Sequence, residues 1–264
     1  MINDLEVIVK RFPDWPLLRL YAIGDCHVGA ENFDETALKK KIEIIRADTY
    51  GVVTLCGDLG DFGLRTSVTN PLRATMGPKE QADYICELFE PIKGKIVSAV
   101  PGNHEMRLVK ETGIDPLLTL CCRWGCQDVY RENVAILKLL FGQRSNKQQN
   151  CFIGITTHGS SIRKHQRFIA CFQPIDWACS GHSHTPMYYP HGVIRIDAQH
   201  GTAKHVGYKE IVVDANLKPG GYALKNEYEI SPPHELQYIE MRVVRDNDRN
   251  RTEHKIMDYH SIQI

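Results

Sequence analysis

A chain of 264 residues with 42% hydrophobic and 24% charged residues has the make-up of a folded domain with a sizeable core, which excludes a disordered or low-complexity protein. Its 32 Lys+Arg balance 32 Asp+Glu, so overall charge neither draws it to nucleic acid nor repels it. The nine scattered cysteines, odd in number and mostly inside apolar runs, argue for reduced, packed thiols rather than a disulfide framework.

Residues 1–6 lack the basic and apolar regions of a secretion signal, and no apolar run reaches the length of a membrane span. A cytoplasmic setting with no membrane partner is therefore expected. Residues 1–17 read as a short lead-in, because Pro13 and Pro16 break any helix. The first core strand is expected over 18–24 and ends at Asp25-Cys26-His27. Alternate strand residues share a face, so Asp25 and His27 can point together while Cys26 turns away. Ala37, Leu38, Ile42 and Ile45 recur at helical spacing behind Asp34, a good N-cap residue, which predicts a helix over 34–48. A strand over 51–56 then delivers Gly57-Asp58-Leu59-Gly60-Asp61-Phe62-Gly63. Strand, helix, strand implies a crossover with parallel strands, and ligands gather at the carboxyl ends of such strands. After an exposed loop over 64–78 and a helix over 79–90, the apolar run 96–100 leads to Gly102-Asn103-His104-Glu105.

The second half continues with a helical stretch over 105–123, broken at Gly113 and restarted by Asp115-Pro116 as N-cap and first residue. Cys121, Cys122 and Cys126 match no structural-zinc spacing and have no second pair, so they read as packed thiols. Runs 134–141 and 151–157 predict an antiparallel hairpin across a polar loop over 143–150. A helix over 160–171 carries Arg163, Lys164, His165 and Arg167, a basic turn that starts just after His158 and faces either an anionic substrate or solvent. The apolar residues 177–179 precede Gly181-His182-Ser183-His184. Strands are expected over 187–197 and 208–214, and a hairpin over 226–244 around Pro232-Pro233; the charged tail 245–264 has no predicted place. No repeat or linker divides the chain, so one domain over 1–264 is expected, with a motif-bearing core over 18–215 and a β-rich extension over 216–264.

Five apolar runs thus end in Asp25 and His27, Asp58, Asn103, His158, and His182 and His184. Polar groups at the ends of buried strands are costly unless something binds them. Seven donors are too many for one metal ion and suit two, provided one carboxylate is shared. Carboxylate, amide oxygen and imidazole without thiolate favour Mn²⁺, Fe or Zn²⁺ over Ca²⁺. Two such ions ~4 Å apart clamp a phosphoryl group and convert a bridging water to hydroxide near neutral pH. His104 neighbours Asn103 but points elsewhere, toward substrate, where a protonated imidazole stabilises an oxygen or protonates the leaving group. Asp61 is the expected carboxylate that orients it.

In order and spacing, these blocks (D-x-H, G-D-x-x-D, G-N-H-[DE], H and G-H-x-H) resemble those of the calcineurin-like metallophosphoesterase superfamily. The resemblance spans residues 25–184. It implies an α/β fold, a four-layer αββα sandwich of two mixed sheets, around a two-metal centre. By that resemblance Asp25, His27, Asp58 and His184 hold one divalent ion, and Asp58, Asn103, His158 and His182 the other. Mn²⁺ is the first expectation, with Fe, Zn²⁺ and Ni²⁺ as alternatives. His104, aided by Asp61, takes the role of acid or transition-state stabiliser.

Protein phosphatases of that superfamily carry Arg directly after the second Asp of G-D-x-x-D, where this chain has Phe62. A monoester dianion benefits from a bidentate Arg more than a diester monoanion does. The expectation is therefore a phosphodiesterase acting on DNA, RNA or nucleotides, with Phe62 placed to stack on a base and Arg107 and Arg163 as further contacts. Arg65, Arg73 or, foremost, Arg107 would restore the clamp, which keeps a phosphomonoesterase as the alternative and a non-catalytic scaffold as a remote one. Zero net charge weighs against a groove that tracks phosphates. Oligomeric state is left open.

Overall fold

The computed structural model describes residues 4–64, 74–142, 149–220, 233–245 and 253–264. Its first strand, β1 (Ile8–Phe12), lies within the expected lead-in. Pro13 and Pro16 follow it, and a proline that forbids a helix merely ends a strand at a sheet edge. Then come β2 (Leu18–Ile23), α1 (Glu35–Ala47), β3 (Gly51–Leu55), α2 (Pro78–Phe89) and β4 (Ile96–Ala99). β2, β3 and β4 pair in parallel, as the strand–helix alternation implies. Asp34 caps α1 through its side chain, which accepts the Ala37 N–H at 3.1 Å. β3 is buried along its whole length, as a strand covered on both faces must be.

The chain continues through α3 (Asn103–Thr112), α4 (Pro116–Trp124), β5 (Val134–Phe141), β6 (Asn150–Thr157), α5 (Ile162–Ile169) and β7 (Trp177–Ser180). Left-handed Gly113 (φ 71°) closes α3, and the Asp115 carboxylate caps α4 by accepting the Leu118 N–H at 2.9 Å. β5 and β6 are the expected antiparallel pair. Of the loop expected between them, 143–148 lie outside the described residues, as do 65–73 of the loop expected over 64–78.

The C-terminal third departs most from expectation. β8 (Met187–Asp197) pairs antiparallel with β9 (Thr202–Val212), which begins well before residue 208. β8 has the expected bounds, whereas the outer half of β9 is exposed, so no one-sided apolar alternation marks its start. The hairpin expected within 226–244 is instead formed by β10 (Glu235–Arg245) and β11 (Glu253–Gln263), which places most of the charged tail. Residues 221–232, including Pro232, and 246–252 lie outside the described residues.

The strands form two mixed sheets, ordered β11-β10-β2-β3-β4 and β1-β5-β6-β7-β9-β8. Leu20, Val53 and Leu55 of the first sheet share one buried cluster with Leu137, Leu139, Phe141, Phe152 and Trp177 of the second, together with Leu38 of α1, Phe89 of α2 and Leu117 of α4. The opposite face of the second sheet, through Val134, Ile155, Ala178 and Tyr208, packs on Ile169 of α5. Helices thus cover both outer faces. Between the sheets Thr54 Oγ1 lies 2.6 Å from both Ser98 Oγ and Thr156 Oγ1, so three buried hydroxyls satisfy one another where bare polar groups would be costly.

All nine cysteines are free thiols; Cys121 and Cys126 are buried, whereas Cys122 and Cys171 are exposed. Among the described residues no helix is long and apolar enough to cross a membrane.

Candidate metal centre

The carboxyl ends of β2, β3 and β4 from one sheet and β6 and β7 from the other converge on one spot. The local backbone there is unusual. Among the described residues, six non-glycine residues have left-handed φ: Asp25 (46°), His27 (49°), Asp58 (52°), Phe62 (42°), His182 (73°) and His184 (58°). Five of the six are expected ligands. Asp and His enter this region more readily than most residues, yet such backbone costs of order 1–3 kcal/mol each and persists where the surroundings impose it. The sequence expectation that Asp25 and His27 align by strand alternation is corrected here. β2 ends at Ile23, and left-handed turns aim both side chains.

Backbone hydrogen bonds lock these turns together: Asp25 N–H donates to Gly57 O at 2.9 Å and His27 N–H to Asp58 O at 3.0 Å. Gly57 (φ 85°) backs directly on the next loop, since a Cβ there would lie 2.4 Å from the Gly102 nitrogen. Gly102 in turn leaves room for Asp58, whose Oδ1 would lie 2.1 Å from a Cβ at that position. The glycines that precede Asp58 and Asn103 therefore allow two loops to touch.

The side chains meet as follows. His27 Nε2 lies 3.0 Å from His184 Nε2, and His184 Nε2 lies 3.8 Å from Asp25 Oδ1. Asp58 Oδ2 lies 3.3 Å from His158 Nε2. Asn103 Oδ1 lies 2.9 Å from His158 Nε2 and 3.0 Å from His182 Nδ1. Ligand atoms ~2.1 Å from a tetrahedral ion are about 3.4 Å apart, so these separations suit metal coordination. Two sets of donors close enough to share an ion are Asp25, His27 and His184, and Asp25, Asp58 and His158. A third set, His27, Asp58 and His104, brings His104 to the same cluster.

Electrostatics point the same way. Asp25 is fully buried and its Oδ1 has no hydrogen-bond partner, a costly arrangement for a carboxylate without a cation. Burial pushes Asp25 up to about 8 despite nearby His158. Burial also opposes ionisation of Asp58, but His158, His104 and His27 outweigh it and hold that carboxyl well below its usual range. His184 is pushed down to about 4 chiefly by burial. His158 Nδ1 lies 2.8 Å from the Cys56 carbonyl. With Nδ1–H as donor, Nε2 would present a lone pair inward once an ion displaced its proton, the usual arrangement for a metal-ligating imidazole.

His104 occupies the first turn of α3, and its N–H donates to Asp58 Oδ1 at 2.8 Å. The Asp61 interaction differs from expectation in its atom. His104 Nδ1 lies 2.6 Å from the Asp61 backbone carbonyl, with the carboxylate Oδ1 farther away at 3.5 Å. His104 Nε2 lies 4.0 Å from Asp58 Oδ2.

The remaining candidates separate. Phe62 as a stacking surface is corrected: its ring is fully buried and its N–H donates to Gln81 Oε1 at 2.7 Å. The left-handed turn at Phe62 sends the ring into the core, where no base reaches it. Arg107 is half-buried; burial pushes the Asp61 carboxyl up, and the charges of His104 and Arg107 only partly oppose it. Arg163 is exposed on α5. Arg65 and Arg73 lie outside the described residues.

The sequence assigns Glu105 no role beyond its place in the block Gly102-Asn103-His104-Glu105. Its carboxylate accepts N–H bonds from Asp58 and Leu59 at 2.8 Å each and from Gly102 at 2.9 Å. A carboxylate three residues past a helix-capping glycine was the available signal, because that position reaches back to orphan amides.

A two-sheet α/β sandwich with Asp, His and Asn donors converging at its strand ends is the architecture of a metal-dependent phosphoesterase. The family model described as calcineurin-like phosphoesterase matches residues 18–186, a span that includes all five motif blocks, and the chain belongs to this family. No curated protein matches the sequence. Among solved structures, the chain is similar to a conserved uncharacterized protein of Streptococcus pneumoniae TIGR4, described as a predicted phosphoesterase, with 13% identity, 92% of this chain and 99% of that one covered, and a TM-score of 0.38. It is also similar to Chaetomium thermophilum Vps29, with 8% identity, 93% and 97% coverage and a TM-score of 0.43. A third similar structure, Haemophilus influenzae NAD nucleotidase, has 10% identity and a TM-score of 0.41, with 94% of this chain and 50% of that one covered.

Proposed function

We propose that the chain hydrolyses a phosphate ester at this centre and that its substrate is a phosphodiester of a nucleic acid or nucleotide. The observation that carries the hydrolase reading is the convergence of the seven donors around Asp58, with Asp25 Oδ1 buried and unpartnered. Asp25, His27, Asp58 and His184 would hold one divalent ion, and Asp58, Asn103, His158 and His182 the other, with Asp58 shared. When bound, two such ions activate the phosphoryl group as Lewis acids and acidify water toward neutral pH.

The chain's own groups do the rest. Asp58 presents a carboxylate whose Oδ1 is fixed by the His104 N–H. With its Nδ1–H donating to the Asp61 carbonyl, His104 would hold any second proton on Nε2, on the ring edge nearer Asp58. From Nε2 it neutralises a non-bridging oxygen or passes a proton to the leaving oxygen. The Asp61 carboxylate, 3.5 Å from Nδ1, would support that protonated form.

The diester preference rests on the sequence position: Phe62 follows Asp61 where protein phosphatases of the family carry Arg, and its ring, buried in the core, brings no cation to the site. The alternative, monoester hydrolysis, is favoured by Arg107, which follows His104 by one helical turn and acts on Asp61. The test is turnover of bis-p-nitrophenyl phosphate against p-nitrophenyl phosphate by metal-stripped protein reloaded with Mn²⁺. A preference for the diester is expected; a preference for the monoester overturns the substrate assignment. Two bound ions with no turnover of either ester would instead support a binding scaffold.

A further inference from the structure

The loop from Asp58 to Phe62 forms part of the metal centre, yet its backbone amides face away from any ligand. Asp58 and Leu59 donate to Glu105 at 2.8 Å each, and Gly60 points to Glu105 Oε1 at 3.5 Å. Asp61 N–H donates to Val28 O at 2.9 Å and Phe62 N–H to Gln81 Oε1 at 2.7 Å. Successive amides around a left-handed residue form a concavity that binds anions. Here that anion is internal, the Glu105 carboxylate, which is only 1% exposed. Its Oε2 also accepts the Gly102 N–H at 2.9 Å, so one side chain ties the Asp58 loop to the start of α3. Asp58 and Asn103, both expected on the same ion, are thereby held to one another beyond the β3–β4 pairing and the His104 N–H bond to Asp58 Oδ1.

We propose that Glu105 is the positioning residue of this centre, setting the separation and orientation of Asp58 and Asn103 and so the affinity for the ion they share. This rests on the metal-binding reading above. The geometry also specifies the substitution that breaks it. Both Glu105 oxygens accept N–H bonds, whereas an amide offers one accepting oxygen and one donating nitrogen. Oε2 accepts from both Asp58 and Gly102, and Oε1 from Leu59. In Glu105→Gln the nitrogen therefore faces either the two donors that join the loops or the Leu59 N–H that fixes the Asp58 loop, and a link is lost with little change in volume.

The experiment titrates Mn²⁺ into metal-stripped protein and reads stoichiometry and affinity by calorimetry, with far-UV circular dichroism as the check on folding. Wild type is expected to bind two ions. E105Q is expected to bind one of them ten- to a hundredfold more weakly, the usual cost of losing a group that orients metal ligands. Leu38→Ala, a core truncation in α1, is the control: it should lower Tm while leaving both Mn²⁺ affinities unchanged. If E105Q does not fold, Glu105→Asp keeps the charge but is one methylene too short to span both loops, and the same loss is expected. Unchanged Mn²⁺ affinities in a folded Glu105 variant, or an equal loss in L38A, overturn the proposal. A wild type that binds no Mn²⁺ instead overturns the metal-binding reading on which it rests.

Discussion

The two sheets contribute unequally to the candidate metal centre. The loops after β2 and β3 provide Asp25, His27 and Asp58, all 3% exposed or less. Their backbones are laced together by the Asp25–Gly57, His27–Asp58 and Val28–Leu59 hydrogen bonds. The second sheet provides His158, His182 and His184, of which His182 is exposed and His184 half-buried. His182 reaches the first half through its N–H to Asp25 Oδ2 at 2.8 Å. With the exposed Asn103 after β4 counted in the rim and the buried His158 in the floor, the donors divide into a pre-set floor and a more open rim. A floor with its amides already satisfied loses no order on binding metal, whereas a rim with exposed imidazoles can adjust to ion and substrate.

Breaking the floor should have the largest effect. Asp58→Asn removes the shared negative charge and is expected to abolish turnover and to lose at least one ion, measured by metal analysis and ester hydrolysis. His182→Ala on the rim should keep one ion and some activity. Equal losses in the two variants would show that the halves are not distinct.

His104→Ala comes next. It removes a proton donor while leaving the seven expected ligands, so both ions should remain and turnover should fall about a hundredfold or more. Loss of an ion would make His104 a ligand.

Metal removal sharpens the comparison through pH. In the metal-free protein, burial alone would lower His158, but Asp58 and Asp25 outweigh it and hold the imidazole up to about 10. Burial likewise holds Asp25 up to about 8. The folded chain then keeps protons that the unfolded chain releases. The His158 contribution is complete below an unfolded value of roughly 6.5 and is lost as pH rises through about 10; that of Asp25 is lost as pH rises through about 8. Thermal scans of chelator-treated protein should therefore show Tm falling between pH 7 and 10. Mn²⁺-loaded protein should show less decline, because the ion replaces the proton. Loading should also stabilise by about 2.7 kcal/mol at a hundredfold excess over Kd.

The smallest effect concerns the outermost charge. If the substrate is a nucleic acid, Arg163→Ala should weaken binding a few-fold and reduce the slope of log affinity against log salt by about 1. An unchanged salt slope would place this turn away from the substrate.

The sequence made the centre legible because metal ligands are polar residues in costly positions, and Asp58, Asn103 and His158 each follow a run of apolar residues. It also carried the parallel β2–β3–β4 unit, since continuous apolar runs and a capped amphipathic helix leave few alternatives. It missed β1 and the β10–β11 pair. β1 alternates buried and exposed over only five residues, and β10 pairs with β2, a partner more than two hundred residues distant.

Phe62 shows the limit most plainly. By sequence it adjoins Asp61 and hence the site; in the fold a left-handed turn sends its ring into the core. Glu105 shows the converse, a carboxylate inside a motif whose role depends on which amides surround it. The sequence by itself supplied the candidate donors, their order and the family, because donor chemistry and spacing are local properties. Only the tertiary structure decided where each side chain points, which carbonyl holds His104, and which carboxylate binds backbone instead of metal. Those depend on the signs of φ and on contacts between loops that are distant in the chain.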